Sequence, residues 1–137
     1  MQLKPMNNKY DIIFLGLAKN VASTINLFFD SVERLSKLNI KIKIIIGENG
    51  SKDNTRKILN NIKNKSFELE VIELDNLKKI KNRILRLGKG RQILKNYIET
   101  NSIISKFIAI IDLDEVMING INENQILNSI KLLEENK

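Results

Sequence analysis

Apolar positions along the chain fall into two alternating patterns. Tyr10–Leu17 and Ile40–Ile46 are short runs rich in β-branched residues, the pattern of strands covered on both faces. Between them Ile25, Phe28, Phe29, Val32 and Leu35 recur at helical spacing, and Asn20 is placed to cap that helix. Gly47-Glu48-Asn49-Gly50-Ser51-Lys52-Asp53 is polar and reads as a loop, with Ser51 or Asp53 a natural cap for a second helix. Ile58, Leu59 and Ile62 mark that helix's buried side. Phe67, Leu69 and Val71 alternate with Glu68 and Glu70, which predicts a half-exposed strand. A basic stretch from Leu77 to Gly90 leads into a helix spanning about Arg91 to Thr100, striped by Ile93, Leu94, Tyr97 and Ile98. Phe107–Ile111 predicts another buried strand that runs directly into Asp112-Leu113-Asp114. A last helix is expected from near Asn122 to Glu135, with Ile126, Leu127, Ile130 and Leu133 facing inward.

The order β-α-β-α-β-α-β-α predicts one three-layer α/β domain, a mostly parallel sheet with helices on both faces. It would occupy residues 10–137, behind a polar, flexible N-terminus of residues 1–9. A length of 137 residues with 42% hydrophobic positions suits one ordinary domain with a real core. Ile12–Ala18 is too short to span a membrane and lacks a small-residue cleavage site, so no targeting segment is read and a cytoplasmic location is expected.

Cysteine and histidine are both absent. That excludes disulfides, Cys/His zinc sites and every nucleophile–histidine arrangement. Catalysis would have to run on carboxylates, Lys, Arg, Tyr, hydroxyls, backbone amides or a metal held by oxygen. Lys and Arg number 23 against 16 Asp and Glu, a net charge of +7 that favours anionic partners, although an Ile-, Asn- and Lys-rich composition produces such a balance by itself.

Parallel sheets bind ligands beyond the carboxyl ends of their strands. Three polar groups fall there: Ala18-Lys19-Asn20, Gly47 to Thr55, and Asp112-Leu113-Asp114. In extended backbone Asp112 and Asp114 point to the same side, where paired carboxylates fit a hard divalent cation, Mg²⁺ or Mn²⁺. The plain alternative is that Asp-x-Asp merely ends the strand. Glu48 is not needed by the turn and could accept hydrogen bonds from a base or a ribose, whereas capping accounts for Ser51, Asp53 and Thr55. Arg83, Arg86, Lys89 and Arg91 surround Gly88 and Gly90 ahead of a helix, a placement suited to a diphosphate, although a solvated basic face explains Lys78, Lys79 and Lys81 equally well. Gly88-Lys89-Gly90 lacks the spacing and ending of a P-loop.

Gly16-Leu17-Ala18-Lys19-Asn20, Gly47-Glu48-Asn49-Gly50-Ser51-Lys52-Asp53-Asn54-Thr55, Arg86-Leu87-Gly88-Lys89-Gly90-Arg91 and Ile110-Ile111-Asp112-Leu113-Asp114 together resemble the nucleotide-sugar-binding half of GT-A glycosyltransferases. The nearest flavour is the capsule-associated mannosyltransferase-like group. The resemblance runs from about Tyr10 to Asn119. It implies a Rossmann-like donor-binding domain and metal-assisted sugar transfer from a nucleoside diphosphate sugar to an unknown acceptor. Ala18, Lys19 and Asn49 would line the nucleotide pocket, Glu48 would contact the base and Asp53 would organise the loop. Arg86 and Arg91 would flank the diphosphate, and Asp112 and Asp114 would hold Mn²⁺ or Mg²⁺. Only 23 residues follow Asp114, so the acceptor half is expected to be missing or shortened, with Glu115 and Glu123 the nearest carboxylates for acceptor deprotonation. A homodimer or partner subunit could cover the gap. Two other readings stay open: a non-catalytic module of the same fold binding a partner protein or polyanion, and a nucleotidyltransferase, which lacks a Gly-rich triphosphate loop here.

Overall fold

Strand alternation divides the apolar residues between two layers of helix. In β1 (Tyr10–Ala18), Ile12, Phe14 and Ala18 face one layer while Ile13 and Leu15 face the other. In β2 (Ile42–Glu48), Ile42, Ile44 and Ile46 face the first layer and Ile45 the second. Every residue of β2 is buried, which suits its isoleucine-rich middle and obliges its two charged residues, Lys43 and Glu48, to find partners. The structure is a computed structural model, and it describes residues 9–62, 66–113 and 123–135. The flexible start expected for residues 1–9 therefore lies, apart from Lys9, outside the described residues.

The elements follow in the order β1, α1 (Ile25–Ser36), β2, α2 (Thr55–Asn60), β3 (Glu68–Glu73), a 3₁₀ turn (Asp75–Lys79), α3 (Arg83–Thr100), β4 (Ser105–Asp112) and α4 (Glu123–Glu135). The four strands form one sheet in the order β3-β2-β1-β4, with every neighbouring pair parallel. Chain order moves outward from β1 to β3 and then returns to the far side of β1. That reversal between β1 and β4 opens the crevice in which doubly wound sheets bind ligands.

The larger core lies beneath α1 and α2. Ile25, Phe28, Phe29, Val32 and Leu35 of α1 are all buried there, each contributing about 1.5–3 kcal/mol through removal from water. Phe28 meets Phe14 edge-on with centroids 5.9 Å apart, and Phe29 stacks on Phe67 at 5.7 Å. Partly buried Ile126 and Leu127 of α4 pack against this core, and Arg34 of α1 pairs with Glu123 in the first turn of α4. The other face is covered by α3 through Leu94 and Ile98. Buried Lys43 enters that side, where it pairs with Glu70 and Glu68 while Tyr97 donates to Glu70 and Tyr10 to Glu68.

Several boundaries differ from expectation. Asn20 does not cap α1, which starts five residues later with Thr24 at its cap position. Strand β2 continues through Gly47 and Glu48 because both pair with β1 and β3. The helix expected from Arg91 already begins at Arg83, where the Asn82 side chain accepts from the Leu85 amide at 3.1 Å. Strand β4 is not covered on both faces: it is an edge strand, α3 packs over β1 and β2, and Ile108 and Ile110 each stay 51% exposed. Leu133 of α4 also faces solvent, since that helix docks through its first turns.

Candidate functional site

Three chain segments meet at the carboxyl edge of the sheet. The first is the end of β1 with the loop behind it, carrying Ala18, Lys19 and Asn20. The second is the end of β2. The Asn49 amide donates to the Ala18 carbonyl at 2.9 Å, so the β1–β2 ladder runs one step beyond the strand. The third is the 3₁₀ turn and the first turns of α3. Together they enclose a cleft of about 170 Å³ lined by Leu17, Ala18, Lys19, Asn49, Leu77, Arg83, Arg86 and Leu87. Of the residues expected at a nucleotide site, Ala18, Lys19, Asn49 and Arg86 are thus brought together, and Arg83 joins them.

The wall chemistry is mixed. Leu17, Leu77 and Leu87 supply apolar surface, while Lys19, Arg83 and Arg86 supply positive charge. Arg86 is anchored by an Nη1 hydrogen bond to the Ile80 carbonyl at 3.2 Å, which directs its guanidinium without neutralising it. Asn49 is 6% exposed, and its Oδ1 is a buried acceptor with no hydrogen-bond partner among the described residues. Such an acceptor is costly to leave unmade, about 1–3 kcal/mol, and is commonly explained by a ligand or water at the site.

Glu48 behaves differently from expectation. Its side chain is fully buried and absent from the cleft wall. The carboxylate accepts from the Gly50 amide at 3.2 Å, the Ser51 amide at 2.5 Å, and from Nε and Nη2 of Arg56 at 2.9 and 2.5 Å. Arg56 Nη2 also donates to Asp75 at 2.7 Å, so one guanidinium ties the end of β2 to the 3₁₀ turn. Burial alone would raise the Glu48 pKa, but the Ser51 hydrogen bonds and the Arg56 guanidinium hold it below its ordinary value. A base contact by Glu48 would require these bonds to open; in this structure it holds the turn. Gly50 sits in that turn at φ +56°, with the Lys78 chain 1.8 Å from where a Cβ would be.

Asp53 organises the loop, as the resemblance implies. It accepts from the Thr55 amide at 2.9 Å, the Thr55 hydroxyl and the Ala22 amide at 3.1 Å. Burial pushes its carboxyl up, yet these donors bring it below its ordinary value. Ser51 does not cap α2; its Oγ accepts from the Asn20 amide at 2.9 Å. Arg91 lies farther along α3, over a narrow apolar seam with Gly16, Leu94, Ile110 and Ile111, and does not border the cleft. The Gly88-Lys89-Gly90 stretch is helix and not loop, and Gly90 lets α3 approach Leu17, where a Cβ would come within 2.8 Å.

The register sets the Asp112 backbone beside Leu17, at the same edge of the sheet. The Asp112 side chain, Asp114 and Glu115 lie outside the described residues. Among the described residues no group of three or more acidic side chains gathers as a cation site, so the cation expectation rests on the sequence pair. Glu123, the other carboxylate considered for acceptor deprotonation, is engaged by Arg34. Sequence reasoning missed Arg56, Leu77 and the double role of Thr55, whose Oγ1 also accepts from the Val21 amide at 2.8 Å. The only available signal for Arg56 was the need of an acidic residue in an apolar strand end for a partner.

No family model matches the sequence, and no curated protein matches it. Among solved structures the chain is similar to S. aureus TarS 1–349, with a TM-score of 0.64 and 17% identity over 91% of this chain and 32% of that one. It is similar also to S. aureus TarS, with a TM-score of 0.61 and 16% identity over 91% of this chain and 20% of that one. The chain therefore spans about a third or less of the length of these structures. No helix among the described residues is long and apolar enough to cross a membrane. At such identities the likeness is one of fold alone and does not reach the mannosyltransferase-like group: the described residues form a single α/β domain with a four-stranded parallel sheet flanked by helices, a Rossmann-like fold that matches those structures.

Proposed function

We propose that this domain binds a nucleoside diphosphate sugar and serves as the donor-binding part of a glycosyltransferase. The observation that carries the reading is the cleft at the carboxyl ends of β1 and β2, under the start of α3. It combines Lys19, Arg83 and Arg86 on its walls with the buried, unpartnered acceptor of Asn49. Guanidinium and ammonium groups suit the two phosphates, and a neutral acceptor suits a hydroxyl or ring N–H on the nucleoside side. A concave, partly apolar wall favours such a small ligand over an extended polyanion.

In this proposal Asp112 and Asp114 would hold Mn²⁺ or Mg²⁺, which would supply positive charge to offset that of the diphosphate. The chain's own residues hold the diphosphate, orient it through the anchored Arg86, and shield it with Leu17, Leu77 and Leu87. Glu48 and Arg56 support the walls without touching the ligand. The open face of β4, with Ile108 and Ile110, is where a second copy or a partner would pack.

A thermal-shift screen of sugar nucleotides, with and without Mn²⁺ or Mg²⁺, tests the reading. Ligand at about 100 times its Kd should add roughly 2.7 kcal/mol of apparent stability. Cation-dependent stabilisation that disappears in Asp114→Ala supports the whole proposal. Stabilisation indifferent to cation and to Asp114→Ala removes the metal from it, and no stabilisation by any sugar nucleotide removes the donor site.

A further inference from the structure

Two walls of the cleft come from loops that are remote in sequence, Lys19 after β1 and Asn49 after β2, and their spacing must be fixed by something. The strand ladder sets the Asn49 backbone beside Ala18 through the Asn49 amide on the Ala18 carbonyl and ends there, leaving the loops that follow each residue to be held by other contacts. Beyond that point the connection passes through Asn20. Its backbone N–H donates to Ser51 Oγ at 2.9 Å, and its side-chain Oδ1 accepts from the Lys52 amide at 2.7 Å and the Asp53 amide at 3.4 Å. Val21 and Ala22 extend the clasp by donating to Thr55 Oγ1 and to Asp53. Asn20 adopts φ +54°, a left-handed conformation that Asn tolerates better than most residues with a side chain. That conformation accompanies an arrangement in which the N–H and the carboxamide both reach the same neighbouring loop.

We propose that Asn20 is a positioning residue for the cleft: its exposed carboxamide clasps the 51–53 loop so that Lys19 and Asn49 face the same ligand. This rests on the donor-site reading above. The Asn20 hydrogen bonds are solvent-exposed and Asn20 belongs to neither apolar core, unlike the buried Val21 bond beside it, so the Asn20 carboxamide sets loop geometry more than global stability. Asn49 supplies the independent sign that the geometry serves a ligand, since its acceptor is nine-tenths buried at the cleft wall and unpartnered.

The test compares wild type with Asn20→Gly, which keeps the left-handed backbone accessible and the N–H to Ser51 available while removing the whole side chain, carboxamide included. UDP and GDP are titrated by calorimetry, and amide exchange of Lys52 and Asp53 is followed by NMR without ligand. The expected result is about tenfold weaker binding, faster exchange at those two amides, and a melting temperature lowered by less than about 4 °C. Equal affinity in the two proteins, with wild type binding, overturns the positioning role and leaves the donor site standing. Unchanged exchange at Lys52 and Asp53 likewise overturns the clasp. Wild type that binds neither nucleotide overturns the donor-site reading and this proposal with it.

Discussion

A single buried carboxylate organises much of the cleft. Glu48 ends a strand with no exposure to water, and only hydrogen bonds from Ser51 and Gly50 and the forked guanidinium of Arg56 make its charge tolerable. Arg56→Ala leaves that charge uncompensated and unties the 3₁₀ turn. We expect a melting temperature lower by about 5–10 °C, discounted for the partial exposure of the guanidinium, together with loss of nucleotide binding. A variant melting within a degree of wild type would show that water replaces Arg56 without cost. The folded-state pKa values of Glu48, Glu70 and Asp53 are all lowered. Their stabilising contribution is therefore complete at neutral pH. It fades as pH falls below the ordinary glutamate value of 4.5 towards the lowered folded values. A melting temperature that holds constant from pH 7 down to pH ~3 would contradict this assignment.

Helix α3 is the element that most changes the reading of the sequence. Its C-terminal half was legible, because Leu94, Tyr97 and Ile98 form an apolar stripe and Leu94 and Ile98 are buried. Its N-terminal half was not, because Ile84 and Leu85 are exposed and two glycines interrupt the helical pattern. Asn82 three residues before Leu85 was the signal that pattern reading passed over. The glycines differ in consequence. Gly88 has open space around it, so Gly88→Ala should add about 0.5–1 kcal/mol of stability in urea unfolding. Gly90→Ala instead drives a Cβ against Leu17, a cleft residue, and should forfeit that gain while weakening nucleotide binding. Equal stabilisation by both substitutions would mean that Leu17 yields freely. Strand interiors were legible for the opposite reason: short, predominantly apolar runs such as Ile12–Leu15 and Ile44–Ile46 mark burial on both faces, as β1 and β2 bear out. Burial of β4 could not be read that way, since its place at the sheet edge is a property of topology.

At the scale of the molecule, the sheet order β3-β2-β1-β4 gathers the cleft and leaves β4 uncovered on the α3 side. Half-exposed Ile108 and Ile110 on an edge strand invite association. Sedimentation should show wild type self-associating as its concentration rises and an Ile108→Thr/Ile110→Thr variant doing so less. Indistinguishable behaviour would place any association elsewhere. The alternating pattern of the chain made the layered α/β architecture legible, and the strand-end rule pointed to the edge where the candidate cleft lies, because both depend on local periodicity and on topology common to such sheets. The internal partners of Glu48 and Asn20 depend on contacts between segments about thirty residues apart or on side-chain direction, which periodicity does not encode. The most direct test of the account is a calorimetric titration of UDP and GDP into wild type and Arg86→Ala with Mn²⁺ present. Saturable one-to-one binding of at least one nucleotide, weakened about tenfold or more by Arg86→Ala, is the predicted result. Binding of neither nucleotide, or binding that Arg86→Ala leaves unchanged, would contradict the assignment of this cleft to a nucleoside diphosphate.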